Sequence, residues 1–320
     1  MRRRWLPVLL GLTALLVLGH LYQRAMETRD ARAHAPPGEL VVVDGRRMHL
    51  HCQGEGSPTV VLIAGLGGFS MDWVRLQAPL SRVTRTCSVD RAGYGWSDPG
   101  PEPRDIARNA WELERLLSVA VADPPYLLVG HSLGGAHALR FAQEHPDQTA
   151  GVVLVDVPDR AELRREADGA ASRDRTQRLF YGSLRLLAGS GLLRVLAGAT
   201  GDAIAPDTIH HLAEGDRGAY RTVMLRREPY RTASRELRHL PSGATQLAGD
   251  GALGRTPLII ITATEVDSDE WPERQAALLA LSSRSEQRLA EGSSHFVHLD
   301  RPEVILRAVD DLIDTLRSAH

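Results

Sequence analysis

Tyr126-Leu127-Leu128-Val129-Gly130-His131-Ser132-Leu133-Gly134-Gly135 is the stretch that decides the fold. Its short apolar opening reads as a buried strand, G-x-S-x-G makes a sharp turn, and Ala136 to Phe141 opens a helix. Ser132 is thereby left standing at the carboxyl end of the strand, in the position of a nucleophile elbow. A serine hydroxyl attacks a carbonyl carbon only when it is exposed and near a base. The flanking glycines let backbone and substrate come close without a side-chain clash. The five-residue pattern recurs by chance in Gly- and Ser-rich loops; its place between a strand and a helix gives it meaning.

Upstream, Glu39–Val43 and Arg46–Cys52 flank Asp44-Gly45 and read as a hairpin, and Val60–Ala64 is a continuous apolar strand suited to a sheet covered on both faces. Gly65-Leu66-Gly67-Gly68-Phe69-Ser70 follows. A glycine-rich turn at a strand's carboxyl end aims backbone N–H groups at a developing oxyanion, so the N–H of Leu66, with that of Leu133 after the nucleophile, is the expected donor pair. Val83–Val89 is a further strand, running into Asp90-Arg91-Ala92-Gly93-Tyr94-Gly95-Trp96-Ser97. After Pro99, Pro101 and Pro103, the spacing predicts a helix over 105–120 with Ile106, Ala110, Leu113 and Leu117 on its apolar face. Strand and helix alternate as in a mostly parallel, doubly wound α/β sheet, whose ligands bind at the carboxyl ends of the strands.

These pieces, together with Gly292-Ser293-Ser294-His295-Phe296 near the end, resemble the α/β-hydrolase superfamily of lipases, esterases and peptidases. The matching motifs span most of Glu39 to His320 in the family's order; Ala64 departs from it, where many relatives carry histidine before the glycine. The resemblance implies a serine hydrolase that cleaves a carboxylic ester of a small acyl substrate through an acyl-serine intermediate, without metal or organic cofactor. Amide or peptide cleavage, or ligand binding without catalysis on the same scaffold, are the alternatives. It also implies that the second strand lies beside the fourth, which would bring Cys52 and Cys87 together as a disulfide.

From about Ala161 to Gly254 strand signals give way to helical segments rich in Arg, Leu and Ala. In the family an insertion here is a helical cap, between a first part of the core at 39–160 and a second at 255–320. The catalytic base expected from the resemblance is His295, with His298 a packing residue on the same loop. Two carboxylates are open for the triad acid. Asp156 ends the strand after the elbow, and Asp267 lies in the acidic loop after the strand Leu258–Ala263; the reading leans to Asp156.

Net charge is only -2, with no strong charge run in the body, so nothing points to nucleic acid. No Cys/His spacing resembles a zinc site. At the N-terminus, Arg2, Arg3 and Arg4 precede a largely apolar run from Trp5 to Leu21, read as a membrane anchor or a signal segment within residues 1–26, followed by a polar linker at 27–38. An anchor is favoured, since no small-x-small cleavage site follows the run directly. Either reading puts the catalytic part outside the cytoplasm, where a disulfide persists.

Overall fold

A computed structural model describes residues 6–121, 123–159, 161–163, 172–247, 249, 252–266 and 270–318. Eight strands form one sheet: β1 (Glu39–Val43), β2 (Arg46–Gln53), β3 (Thr59–Ile63), β4 (Thr86–Val89), β5 (Tyr126–His131), β6 (Thr149–Val155), β7 (Leu258–Ala263) and β8 (Ser285–Ala290). Their order is β1-β2-β4-β3-β5-β6-β7-β8, antiparallel at β1/β2 and β2/β4 and parallel elsewhere. This is the α/β-hydrolase arrangement anticipated from the motifs. β3, β5, β6 and β7 are buried along their whole length, which is why they read as unbroken apolar runs.

Helices cover both faces. α3 (Ile106–Ala120) and α4 (Leu133–Glu144) pack one side through residues such as Leu113, Leu117, Leu139 and Phe141. α2 (Val74–Leu80) and the C-terminal helix Pro302–Ser318 close the other through Leu76, Leu80, Ile305 and Ile313. The four apolar positions expected on α3 are all buried, and Asp105 caps the helix by accepting from the Arg108 N–H at 2.8 Å. The Asp44-Gly45 turn has φ of 48° and 76°, the doubly left-handed geometry of a tight hairpin. The strand expected from Val83 begins only at Thr86, because the N–H groups of Val83 and Thr84 bond back to the Leu80 carbonyl and finish the helical turn.

β2 lies beside β4, and Cys52 stands opposite Cys87 in the register of that pair; the two are disulfide-bonded. The bridge closes a separation of 35 residues. Replacing both cysteines by alanine is expected to cost about 2–4 kcal/mol in chemical denaturation. An unchanged midpoint would mean that the β2/β4 pairing needs no bridge.

The chain between β6 and β7 is helical in its described parts: α5 (Ser172–Gly189), α6 (Leu192–Thr200), α7 (Glu214–Met224) and α8 (Arg227–His239). Phe69 and Tyr94, from the loops after β3 and β4, share an apolar cluster with Ile209, Tyr220 and Ala233 of this segment. α1 runs from Leu6 to Ala33, through residues 27–33 that composition assigns to a linker. It stays helical there because it packs on the body: Gln23 is buried and Asp30 pairs with Arg194.

Candidate active site

The chain turns one way from β3 to β4 and the other way to β5, so a switch point opens between the carboxyl ends of β3 and β5. Ser132 stands there at φ 50°, ψ -127°, a conformation that side-chain-bearing residues rarely adopt. The neighbouring glycines are required by contact. A Cβ on Gly130 would lie 2.5 Å from Gly135 Cα, and one on Gly134 would lie 2.2 Å from the Ile63 carbonyl oxygen. The elbow is held by the Ser132 N–H donating to the Val155 carbonyl and the Gly135 N–H donating to the Ser132 carbonyl, each at 2.9 Å.

Ser132, Asp156 and His295 line one cavity of about 1080 Å³, together with Leu66 and Leu133. Asp156 directly follows β6, also at φ 50°, and its carboxylate is fully enclosed. One oxygen accepts from the Ala263 N–H at 3.0 Å and from Trp271 Nε1 at 2.6 Å. The other lies 2.6 Å from His295 Nδ1. His295 is half-exposed, so one ring nitrogen faces a buried carboxylate while the ring borders the cavity. Among the described residues Ser132 Oγ makes no hydrogen bond; serine–histidine contacts commonly tighten only when substrate is bound. The N–H groups of Leu66 and Leu133 are likewise not engaged in hydrogen bonds among the described residues. Asp267, the second candidate acid, lies outside the described residues.

The loop that carries His295 is fixed from several sides. Ser294 donates to Asp300 through both its N–H and its hydroxyl, at 2.9 and 2.6 Å. His131, beside the nucleophile in sequence, is buried and donates from Nε2 to the His295 carbonyl at 2.8 Å. Burial and the neighbouring His298 and His295 push the His131 pKa well below the ordinary value. Burial, then His295, pushes His298 down to about 3. Both rings are therefore neutral at physiological pH, and His298 packs on Trp73, as the sequence suggests for it.

The turn that carries Leu66 is pinned by Arg91, whose guanidinium donates to the Gly65 carbonyl at 2.9 Å and to the Ala64 carbonyl. Asp90 accepts from the N–H groups of Ser70 and Trp96 at 2.7 and 2.9 Å, tying the glycine-rich loop to its neighbour. Glu236 of α8 holds Arg91 at 3.1 Å and accepts from Tyr94 at 2.8 Å, all three side chains being buried. Glu236→Ala would strand a buried guanidinium and is expected to destabilise the fold by roughly 3–5 kcal/mol in denaturant. A loss below 1 kcal/mol would show the pair to be dispensable. Within the cavity wall, burial outweighs the donors Phe69 N–H, Thr208 and Tyr220 and pushes Asp72 up to about 6.

Arg91, Glu236, Trp271 and His131 are supports that motif reading does not assign. Arg91 and His131 sit inside quoted motifs, so proximity to Ser132 and the glycine turn was a usable signal. Glu236 and Trp271 offer none: each lies far along the chain from what it touches.

Comparison with known proteins agrees with this fold. The family model described as the alpha/beta hydrolase family matches residues 60–308. The chain is 24% identical over 276 residues to the uncharacterized protein YqjL of Bacillus subtilis, covering 84% of this chain and 89% of that protein. It is 29% identical over 156 residues to the uncharacterized protein YbdG of the same organism, and this match spans about half of each, 47% of this chain and 48% of YbdG. Among solved structures, a thermophilic esterase from Thermogutta terrifontis superposes with a TM-score of 0.59 at 19% identity, covering 87% of this chain and 97% of the esterase. At that identity the likeness is one of fold.

Proposed function

The chain belongs to the alpha/beta hydrolase family, and from that premise we propose that it is a serine hydrolase cleaving a carboxylic ester through an acyl-serine intermediate. The observation that carries this reading is the convergence of a serine on a strained elbow and a histidine held at 2.6 Å by a buried carboxylate, on one cavity. Ser132 Oγ attacks the ester carbonyl carbon while its proton passes to Nε2 of His295. Asp156 accepts the Nδ1 hydrogen bond and stabilises the imidazolium. The N–H groups of Leu66 and Leu133 receive the negative charge that develops on the carbonyl oxygen. Collapse of the tetrahedral intermediate breaks the bond to the leaving alkoxide, which takes the proton from His295. Water then repeats the sequence on the acyl-serine and releases the acid.

In this reading Arg91 and Glu236 are positioning residues for the donor turn, and the helical segment within 161–254 serves as the cap that shapes the cavity. No step calls on a metal or organic cofactor. α1 anchors the enzyme in a membrane, with the catalytic part outside the cytoplasm. Among the described residues it is the one single helix long and apolar enough to cross a bilayer.

A fluorophosphonate probe tests the assignment. It is expected to add one phosphonyl group per chain, on the peptide carrying Ser132, and none to Ser132→Ala. A folded protein that stays unlabelled would refute the activated serine and leave ligand binding as the reading to pursue.

A further inference from the structure

α1 joins the body before its apolar run has ended. From Val8 to Leu18 its large apolar side chains are exposed, and the next turns pack on the helical segment. A Cβ on Gly19 would lie 2.3 Å from the Ser190 carbonyl oxygen, so only glycine admits the approach. His20 Nδ1 lies 3.3 Å from the Gly189 carbonyl, and Gln23 donates to the Leu225 carbonyl at 2.7 Å. The Gly189-Ser190-Gly191 turn between α5 and α6 therefore lies against the level of Gly19 and Tyr22. Leu21 is still 58% exposed there.

This contact limits where a bilayer can sit. The apolar run from Trp5 to Leu21, bounded by Arg4, could span at most about 26 Å as a helix, less than the roughly 30 Å of a hydrocarbon core. An anchor this short, clamped to the body at Gly19, leaves no stand-off between body and membrane. The α5–α6 turn is drawn to the hydrocarbon boundary.

The side chains presented at that level suit the place. Arg175–Gly189 and Leu192–Ile204, meeting at 91°, are together long and apolar enough to pass as one broken span. They expose Leu179, Phe180, Leu186, Leu192, Val195 and Leu196, on the two sides of the turn that meets α1 at Gly19 and Tyr22. The same two helices also line the cavity through Leu184, Leu193 and Ala197, and Phe180 belongs both to the exposed set and to the cavity wall. One pair of helices thus presents apolar side chains outward and walls the cavity that holds Ser132.

We propose that the α5–α6 pair lies in the bilayer surface beside α1, and that the cavity takes its substrate, a carboxylic ester with a long acyl chain, from the membrane. The substrate half of this proposal rests on the hydrolase reading; the docking half rests instead on α1 as a membrane anchor. Long-chain esters partition into the acyl-chain layer, and a mouth set in that layer receives them without passage through water.

Two measurements on the full chain in phosphatidylglycerol–phosphatidylethanolamine vesicles test it. A nitrobenzoxadiazole dye on Leu192→Cys, with the native disulfide intact, is expected to brighten several-fold and to be quenched by lipids brominated on their acyl chains. The same dye on Leu289→Cys, an exposed position on β8, is expected to stay dim. The triple variant Leu186→Glu/Leu192→Glu/Val195→Glu is expected to hydrolyse p-nitrophenyl acetate within twofold of the parent. On 4-methylumbelliferyl oleate dissolved in the vesicles it is expected to lose tenfold or more. Equal emission from the two dye positions overturns the docking, and equal effects on both esters overturn the membrane route. Lipid-quenched dye at 192 in a protein that hydrolyses neither ester overturns the substrate half and the hydrolase reading together, while the docking half stands.

Discussion

Turnover of a soluble ester is expected to fall about 10⁶-fold in Ser132→Ala, about as far in His295→Ala, and no further when the two are combined. A nucleophile and its base act as one unit, so removing either removes the contribution of both. What survives is the work of the Leu66 and Leu133 N–H groups and of substrate binding, worth roughly 10³–10⁴ over water. Neither substitution threatens the fold. Ser132 Oγ has no hydrogen-bond partner to lose among the described residues, the elbow is held by backbone bonds, and His295 is half-exposed. Steady-state rates with one chromogenic ester, on preparations whose circular dichroism matches the parent, give the test. Ser132→Ala that keeps turnover within tenfold would remove Ser132 from the chemistry, and losses that multiply in the double variant would mean the two residues act separately.

The elbow was legible because its constraints are local. Backbone crossings between β3, β5 and α4 demand glycine at Gly130 and Gly134, and glycine at those spacings around a serine is itself the pattern. The parallel strands were legible for a similar reason: burial on both faces leaves no polar alternation, as in the wholly buried β5 and β6. The supports were not legible. Glu236 sits on an Arg-rich helix where a carboxylate ordinarily faces water, and its burial comes from Arg91, 145 residues away. The docking of α1 is hidden in the same way. Residues 27–33 have the composition of a linker, and what keeps them helical is contact with the segment around Arg194 and Leu225, the Gln23 bond alone crossing 202 residues.

The choice of acid shows the same limit, and it carries the second large effect. Asp156→Asn is expected to lower turnover about 10⁴-fold while leaving stability nearly unchanged. The Ala263 N–H and Trp271 Nε1 both donate to one carboxylate oxygen of Asp156, so an asparagine must put its single oxygen there. Its NH₂ group then faces His295 Nδ1, where a carboxylate oxygen stood at 2.6 Å. A donor at that place forces the proton of the imidazole onto Nε2, the nitrogen that has to accept from Ser132. The ring keeps its position and loses its function as a base, which is why the cost falls on the rate and not on the fold. No such argument attaches to Asp267, and Asp267→Asn is expected to leave turnover close to the parent's. Side-by-side kinetics of the two variants decide the matter: the reverse pattern would move the acid to Asp267, and small losses in both would mean that neither carboxylate orients His295.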